Sequence, residues 1–226
     1  MSILFIHGAG ANPSVWHLQT AHFTDSVAVE LPGHPNGSGL TTVDEYAQVV
    51  GKEIDDKGLT NPIIAGHSMG GAIAIELALR GRQLRALVLV GTGARLRVRP
   101  EFLAKVRESY GEASQLIASW SVSPSTDPIV VDRIAHDLMR VKPEVTLGDF
   151  MACDTFDRMD RVQEIMCRTL VVCGDEDRMT PRKYSEYLHE RIKNSELAIV
   201  PGAGHSVMLE KPSDFNRVLE EFVGSL

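Results

Sequence analysis

Three kinds of residue, far apart in the chain, are of the types that activate a nucleophile. Ser68 stands in Gly66-His67-Ser68-Met69-Gly70-Gly71, and His205 in Pro201-Gly202-Ala203-Gly204-His205-Ser206. Between them lies a run of acids, Asp175, Glu176 and Asp177, in the stretch from Gly174 to Pro181. A serine hydroxyl is a poor nucleophile until a base takes its proton and an acid orients that base. The G-x-S-x-G pattern alone arises by chance in roughly one chain in ten of this length, so its setting must carry the reading.

That setting is a short apolar run, Pro62 to Ala65, before the serine and a helix-forming run, Ala72 to Leu79, after it. Small residues at Gly66 and Gly70 permit a sharp strand-to-helix turn that exposes the Ser68 hydroxyl at its apex. A helix opening just after Ser68 aims free N–H groups and its positive end at the reacting atom.

Short apolar strands alternate with helical patterns, which predicts a parallel sheet. The strand candidates are Ser2–His7, Ser26–Leu31, Pro62–His67, Leu84–Gly91, Thr169–Gly174 and Ser195–Val200. Loops after parallel strands open on one edge, so the loops holding Ser68, the acids and His205 converge there. Thr42 is expected to cap a helix with Val43, Tyr46, Ala47, Val50 and Ile54 on one face, and Thr180 another, with Pro181 first. Phe215, Val218, Leu219 and Phe222 give the last helix its apolar stripe. From 92 to 166 no strand is evident, and Pro100, Pro124, Pro128 and Pro143 divide a helical region. It reads as a helical cap inserted into a core formed by residues 1–91 and 167–226.

The chain has 226 residues, enough for one α/β domain with such an insertion. A formal net charge of -7 argues against nucleic acid as a partner. No apolar run reaches the length of a membrane span, and the N-terminus lacks the basic and apolar segments of a signal peptide. Cys153, Cys167 and Cys173 form no C-x-x-C pair and read as reduced thiols of a cytoplasmic protein, Cys173 within a strand.

With these motifs assembled, the chain resembles the α/β-hydrolase fold family, in the group of small carboxylesterases and cofactor-free haloperoxidases. The resemblance rests on His7-Gly8-Ala9-Gly10, Gly66 to Gly71, the Gly174 to Asp177 turn and Gly204-His205, in the family's order across nearly the whole chain. It implies a serine–acid–histidine triad of Ser68, Asp177 and His205. The family's G-x-x-D turn favours Asp177 over Asp175, which is left to serve the turn. The resemblance also implies an oxyanion hole from the backbone N–H groups of Ala9 and Met69. His7 and His67 are expected to brace their loops rather than react. Many family members carry an earlier pair of strands that this chain lacks, so a sheet of about six strands is expected, with an exposed edge or a homodimer contact.

Trp16, Trp120, Met139 and Val207 are candidates to line the substrate pocket, with Phe150, Phe156 and Met208 beside them. Core packing is the competing reading for each. Arg95, Arg97 and Arg99 alternate, so an extended segment would put them on one face, able to hold an anionic substrate group or simply to meet solvent. Pro32 to Gly39 reads as a surface turn. The remaining histidines, His34 among them, lack metal-ligand spacing, and no cofactor or metal is implied. The expected reaction is hydrolysis of a small carboxylic ester through an acyl-enzyme. Carbon–carbon bond hydrolase, thioesterase, lactonase and perhydrolase chemistry use the same triad, and a ligand-binding receptor of this fold is the non-enzymatic alternative.

Overall fold

The computed structural model describes residues 2–226. Its sheet comprises β1 (Ile3–Ile6), β2 (Ser26–Ala28), β3 (Ile63–His67), β4 (Ala86–Val90), β5 (Arg168–Gly174) and β6 (Ser195–Val200). All six expected strands form. They pair in parallel in the order β2-β1-β3-β4-β5-β6. The helices are α1 (His17–His22), α2 (Val43–Asp56), α3 (Met69–Leu79), α4 (Pro100–Glu108), α5 (Tyr110–Trp120), α6 (Pro128–Leu138), α7 (Pro143–Thr155), α8 (Lys183–Arg191), α9 (Val207–Glu210) and α10 (Pro212–Gly224).

Every residue of β1, β3 and β4 is buried. Helices cover both faces, and this is why these strands read as continuous apolar runs rather than alternating ones. On one face Tyr46, Val50 and Ile54 of α2 and the apolar residues of α3 pack over Leu4, Ile64 and Leu87. On the other, Phe215, Leu219 and Phe222 of α10 pack over Phe5, Ala65 and Val88. Thr42 caps α2 as expected: its Oγ1 accepts from Glu45 N at 3.2 Å and donates to Glu45 Oε2 at 2.7 Å.

The chain leaves β1 toward β2 on one side and crosses to β3 on the other. This reversal opens a crevice beyond the carboxyl ends of β1 and β3, where ligands of open α/β sheets bind. The loop after β1 carries Ala9 and the turn after β3 carries Ser68.

Helices α4 to α7 lie between β4 and β5 in sequence. Phe102, Val106, Ala113, Ile117, Leu138 and Phe150 form an apolar cluster of their own. The later residues Ala152, Cys153, Phe156, Val162 and Ile165 join the cluster under α3 instead. The insertion is therefore seated on the sheet domain by the end of α7 and the segment that follows.

Two local expectations are corrected. Thr180 does not cap α8, which begins three residues later; its side chain is drawn to Asp177. The segment from Pro32 to Gly39 is not wholly a surface turn, because His34 is fully buried. It is held there by Asp149 of α7 at 2.7 Å.

Candidate active site

Ser68 sits between β3 and α3 with φ 53° and ψ -116°. A non-glycine residue in this region is held against its own preference by the surrounding packing. Two glycines make the turn possible by close approach. A Cβ on Gly66 would fall on the carbonyl of Gly70, and a Cβ on Gly70 on the carbonyl of Ile6. Thr92, just beyond β4, donates to Ser68 O at 2.8 Å and fixes the turn from the neighbouring strand.

His205 Nδ1 donates to Asp177 Oδ2 at 2.9 Å, with both residues buried. A carboxylate accepts only, so it places the imidazole proton on Nδ1 and leaves the Nε2 lone pair available. Asp177 also accepts from Met179 N at 2.8 Å, Thr180 N at 2.9 Å and Thr180 Oγ1 at 2.8 Å. Burial pushes its carboxyl up. The His205 charge and hydrogen bond, with the bonds from Thr180, more than offset that and hold it below the ordinary carboxylate range. Asp175 instead accepts from Gly202 N at 2.7 Å and ties the two loops together from the exposed side.

Two buried histidines brace the site. His67 Nε2 donates to His205 O at 3.1 Å. Burial, reinforced by the nearby His205, lowers its pKa to about 3, so it stays neutral. His7 behaves alike, lowered to about 3 by burial and then by His34, and its Nδ1 donates to Gly8 O at 2.9 Å.

The loop of Gly8 to Gly10 lies beside Ser68. Gly10 N donates to Asp149 Oδ2 at 2.8 Å and Ala11 N to Gly8 O at 3.2 Å, neither of which uses the Ala9 N–H. Met69 opens α3, so its N–H is among the first-turn donors that lack an intrahelical acceptor. Asp149 is itself fully buried and also receives Tyr46 Oη at 2.6 Å.

Ser68, His205 and Ala9 line one cleft between the sheet edge and the inserted helices. Of the side chains expected to line it, Phe150 and Met208 do so. The four principal candidates do not. Trp16 is fully buried and stacks on Phe5 at 4.7 Å, and Val207 packs in the same core cluster. Met139 ends α6 and faces solvent. Trp120 ends α5 beneath the guanidinium groups of Arg99 and Arg178. The walls are instead made by residues such as Leu18, Ile117, Ile134 and Leu209.

Sequence reasoning missed Thr180, Thr92, Asp149 and Glu210 as positioning groups. Glu210 accepts from Gly204 N at 2.8 Å and Ser123 N at 2.7 Å, bridging the His205 loop to the insertion. Only Thr180 carried a local signal, a threonine three residues after an aspartate, which is the spacing of a side-chain turn.

A model of the alpha/beta hydrolase family matches residues 3–218. The pimeloyl-[acyl-carrier protein] methyl ester esterase of Neisseria meningitidis is 29% identical over 98% of this chain and 76% of its own length. The 3-oxoadipate enol-lactonase 2 of Acinetobacter baylyi is 25% identical over 97% of this chain and 87% of its own. The solved structure of a thermophilic esterase superposes with a TM-score of 0.87 at 35% identity, covering 99% of this chain and 89% of the other. With a family match along nearly its whole length and its fold shared with an esterase at that identity, the chain belongs to the alpha/beta hydrolase family.

Proposed function

We propose that this protein is a carboxylic ester hydrolase acting through Ser68, His205 and Asp177. The observation that carries the reading is the buried His205–Asp177 pair at 2.9 Å, opening on the same cleft as a serine held at φ 53°. Esterases and a lactonase among the relatives support it.

Ser68 Oγ attacks the ester carbonyl, and His205 Nε2 takes its proton. Asp177 keeps the ring in the tautomer that can do so and stabilises the imidazolium that forms. The N–H groups of Ala9 and Met69 hold the developing oxyanion, each such donor lowering the barrier by about 2.7–4 kcal/mol. The carbonyl reforms as the C–O bond breaks, and His205 returns its proton to the departing alcohol. Water, deprotonated by the same nitrogen, then attacks the acyl-enzyme and releases the acid and Ser68.

The substrate is a small-molecule ester. The three cysteines are unpaired, which supports a reducing, cytoplasmic setting. Among the described residues no helix is long and apolar enough to cross a membrane.

A fluorophosphonate probe followed by peptide mapping tests the nucleophile, and a series of p-nitrophenyl esters graded by acyl length tests the reaction. Labelling at Ser68 with turnover of short esters is expected. Labelling with negligible turnover of every ester would favour carbon–carbon bond hydrolysis. A folded protein that takes no label would be a receptor.

A further inference from the structure

The cleft has two lobes that meet at Ser68, His205, Ala9, Phe150 and Met179. One is walled largely by aliphatic side chains, and its two charges, Arg133 and Asp137, are opposite in sign. The other is lined by Arg97, Arg99, Arg178 and Lys183, and no Asp or Glu lines it. In a chain of net charge -7 this runs against the overall balance.

The carboxylates nearby leave much of that charge uncompensated. Asp157 lies 3.9 Å from Arg97 but is held closer by Arg95, and Glu101 pairs with Arg99 at 2.6 Å where both are half exposed. Neither Arg178 nor Lys183 has a carboxylate within 4.0 Å among the described residues. Arg178 is nevertheless held in place. Its guanidinium donates to the carbonyls of Ser119 and Val122 and lies 5.2 Å from the centre of the Trp120 ring. Arg99 lies over the same indole at 4.4 Å. Arg99 and Arg178, both placed by this indole, line the same lobe. Guanidinium groups offer paired N–H donors that match carboxylate or phosphate oxygens.

We propose that this basic lobe binds an anionic group of the substrate, so that the ester hydrolysed carries a carboxylate or phosphate at one end and an apolar portion at the other. The inference rests on the hydrolase reading and adds to it the charge and polarity of the substrate. The aliphatic lobe takes the uncharged portion, and the reacting carbonyl lies at Ser68 where the lobes meet.

The test compares p-nitrophenyl esters of one chain length ending in carboxylate, phosphate or carboxamide, and a second series with the same three ends on the alcohol side. In at least one series an anionic end should exceed the carboxamide in kcat/KM by about tenfold or more, the worth of one charge-assisted contact. The better of the two anions identifies the group. The preference should shrink severalfold when about 0.5 M salt is added, since the lobe is open to solvent. Arg178→Gln and Lys183→Gln should each lower the anion-to-carboxamide ratio, chiefly through KM. Arg161→Gln, removing a surface cation paired with Glu164, should not change it. Equal turnover of all three ends in both series, insensitive to salt, would overturn the inference and leave the hydrolase reading standing. No turnover of any ester, with no fluorophosphonate labelling, would overturn both.

Discussion

Ser68 concentrates the conflict between folding and activity in one residue. Its φ of 53° is a conformation glycine accepts readily and serine does not. Ser68→Gly should therefore raise stability by about 1 kcal/mol, as relief of strain outweighs the added freedom of the unfolded chain. It should also abolish turnover. Urea unfolding beside an ester assay checks both; a destabilised Ser68→Gly protein would show that the turn is not strained. Ser68 and its glycines were legible in the sequence because a strand-to-helix elbow needs small residues at fixed spacing, and His205 because its loop follows another strand of the same parallel sheet and matches the family's Gly-His motif. The preference for Asp177 over Asp175 was legible only through the family's turn. The structure adds the physical ground: Asp177 reaches inward to His205, while Asp175 reaches outward to Gly202.

At the scale of elements, the inserted helices do more than roof the cleft. Asp149 on α7 joins Gly10 of the loop after β1, His34 of the loop after β2 and Tyr46 of α2. Asp149→Ala would leave three buried polar groups without their partner, so a loss of about 3 kcal/mol or more is expected. Tyr46→Phe removes one of these bonds and should cost about 1 kcal/mol. Turnover by Asp149→Ala should fall as well, because Ala9 follows Gly10 when it shifts; denaturant unfolding and kcat measured together separate the two effects. None of this was visible in sequence, because the three partners lie 103 to 139 residues away from Asp149. The strands were visible because buried parallel strands are runs of Val, Ile and Leu. The predicted β2 was too long: Val29 N makes the last bond to β1, to Phe5 O at 2.8 Å, and Leu31 beyond it packs into the core under α2 and α3. The cleft walls were not readable, because which face of α5 or α6 meets Ser68 is decided by packing within the insertion.

For the molecule as a whole, His7 and His67 link stability to pH. Each has its pKa lowered from 6.5 to about 3, first by burial. The unfolded chain therefore binds more protons than the folded one between those values. Their neutral burial leaves stability intact above pH 6.5 and erodes it as pH falls toward 3. At pH 5 each should cost about 2 kcal/mol relative to pH 7 or above. Asp177, whose folded pKa is depressed, adds a further loss only below its unfolded value of 3.8. Urea midpoints between pH 8 and 4 should fall with the uptake of two protons, and a flat profile would show that these imidazoles are charged in the native state.

Turnover depends on Ser68 and His205 acting as one device, and a double-variant cycle in kcat on p-nitrophenyl acetate tests this most directly. Ser68→Ala and His205→Ala should each lower kcat by about 10⁶, and the double variant should be no slower than either. Losses that multiply, or a His205→Ala protein that keeps near wild-type turnover while folded, would contradict it.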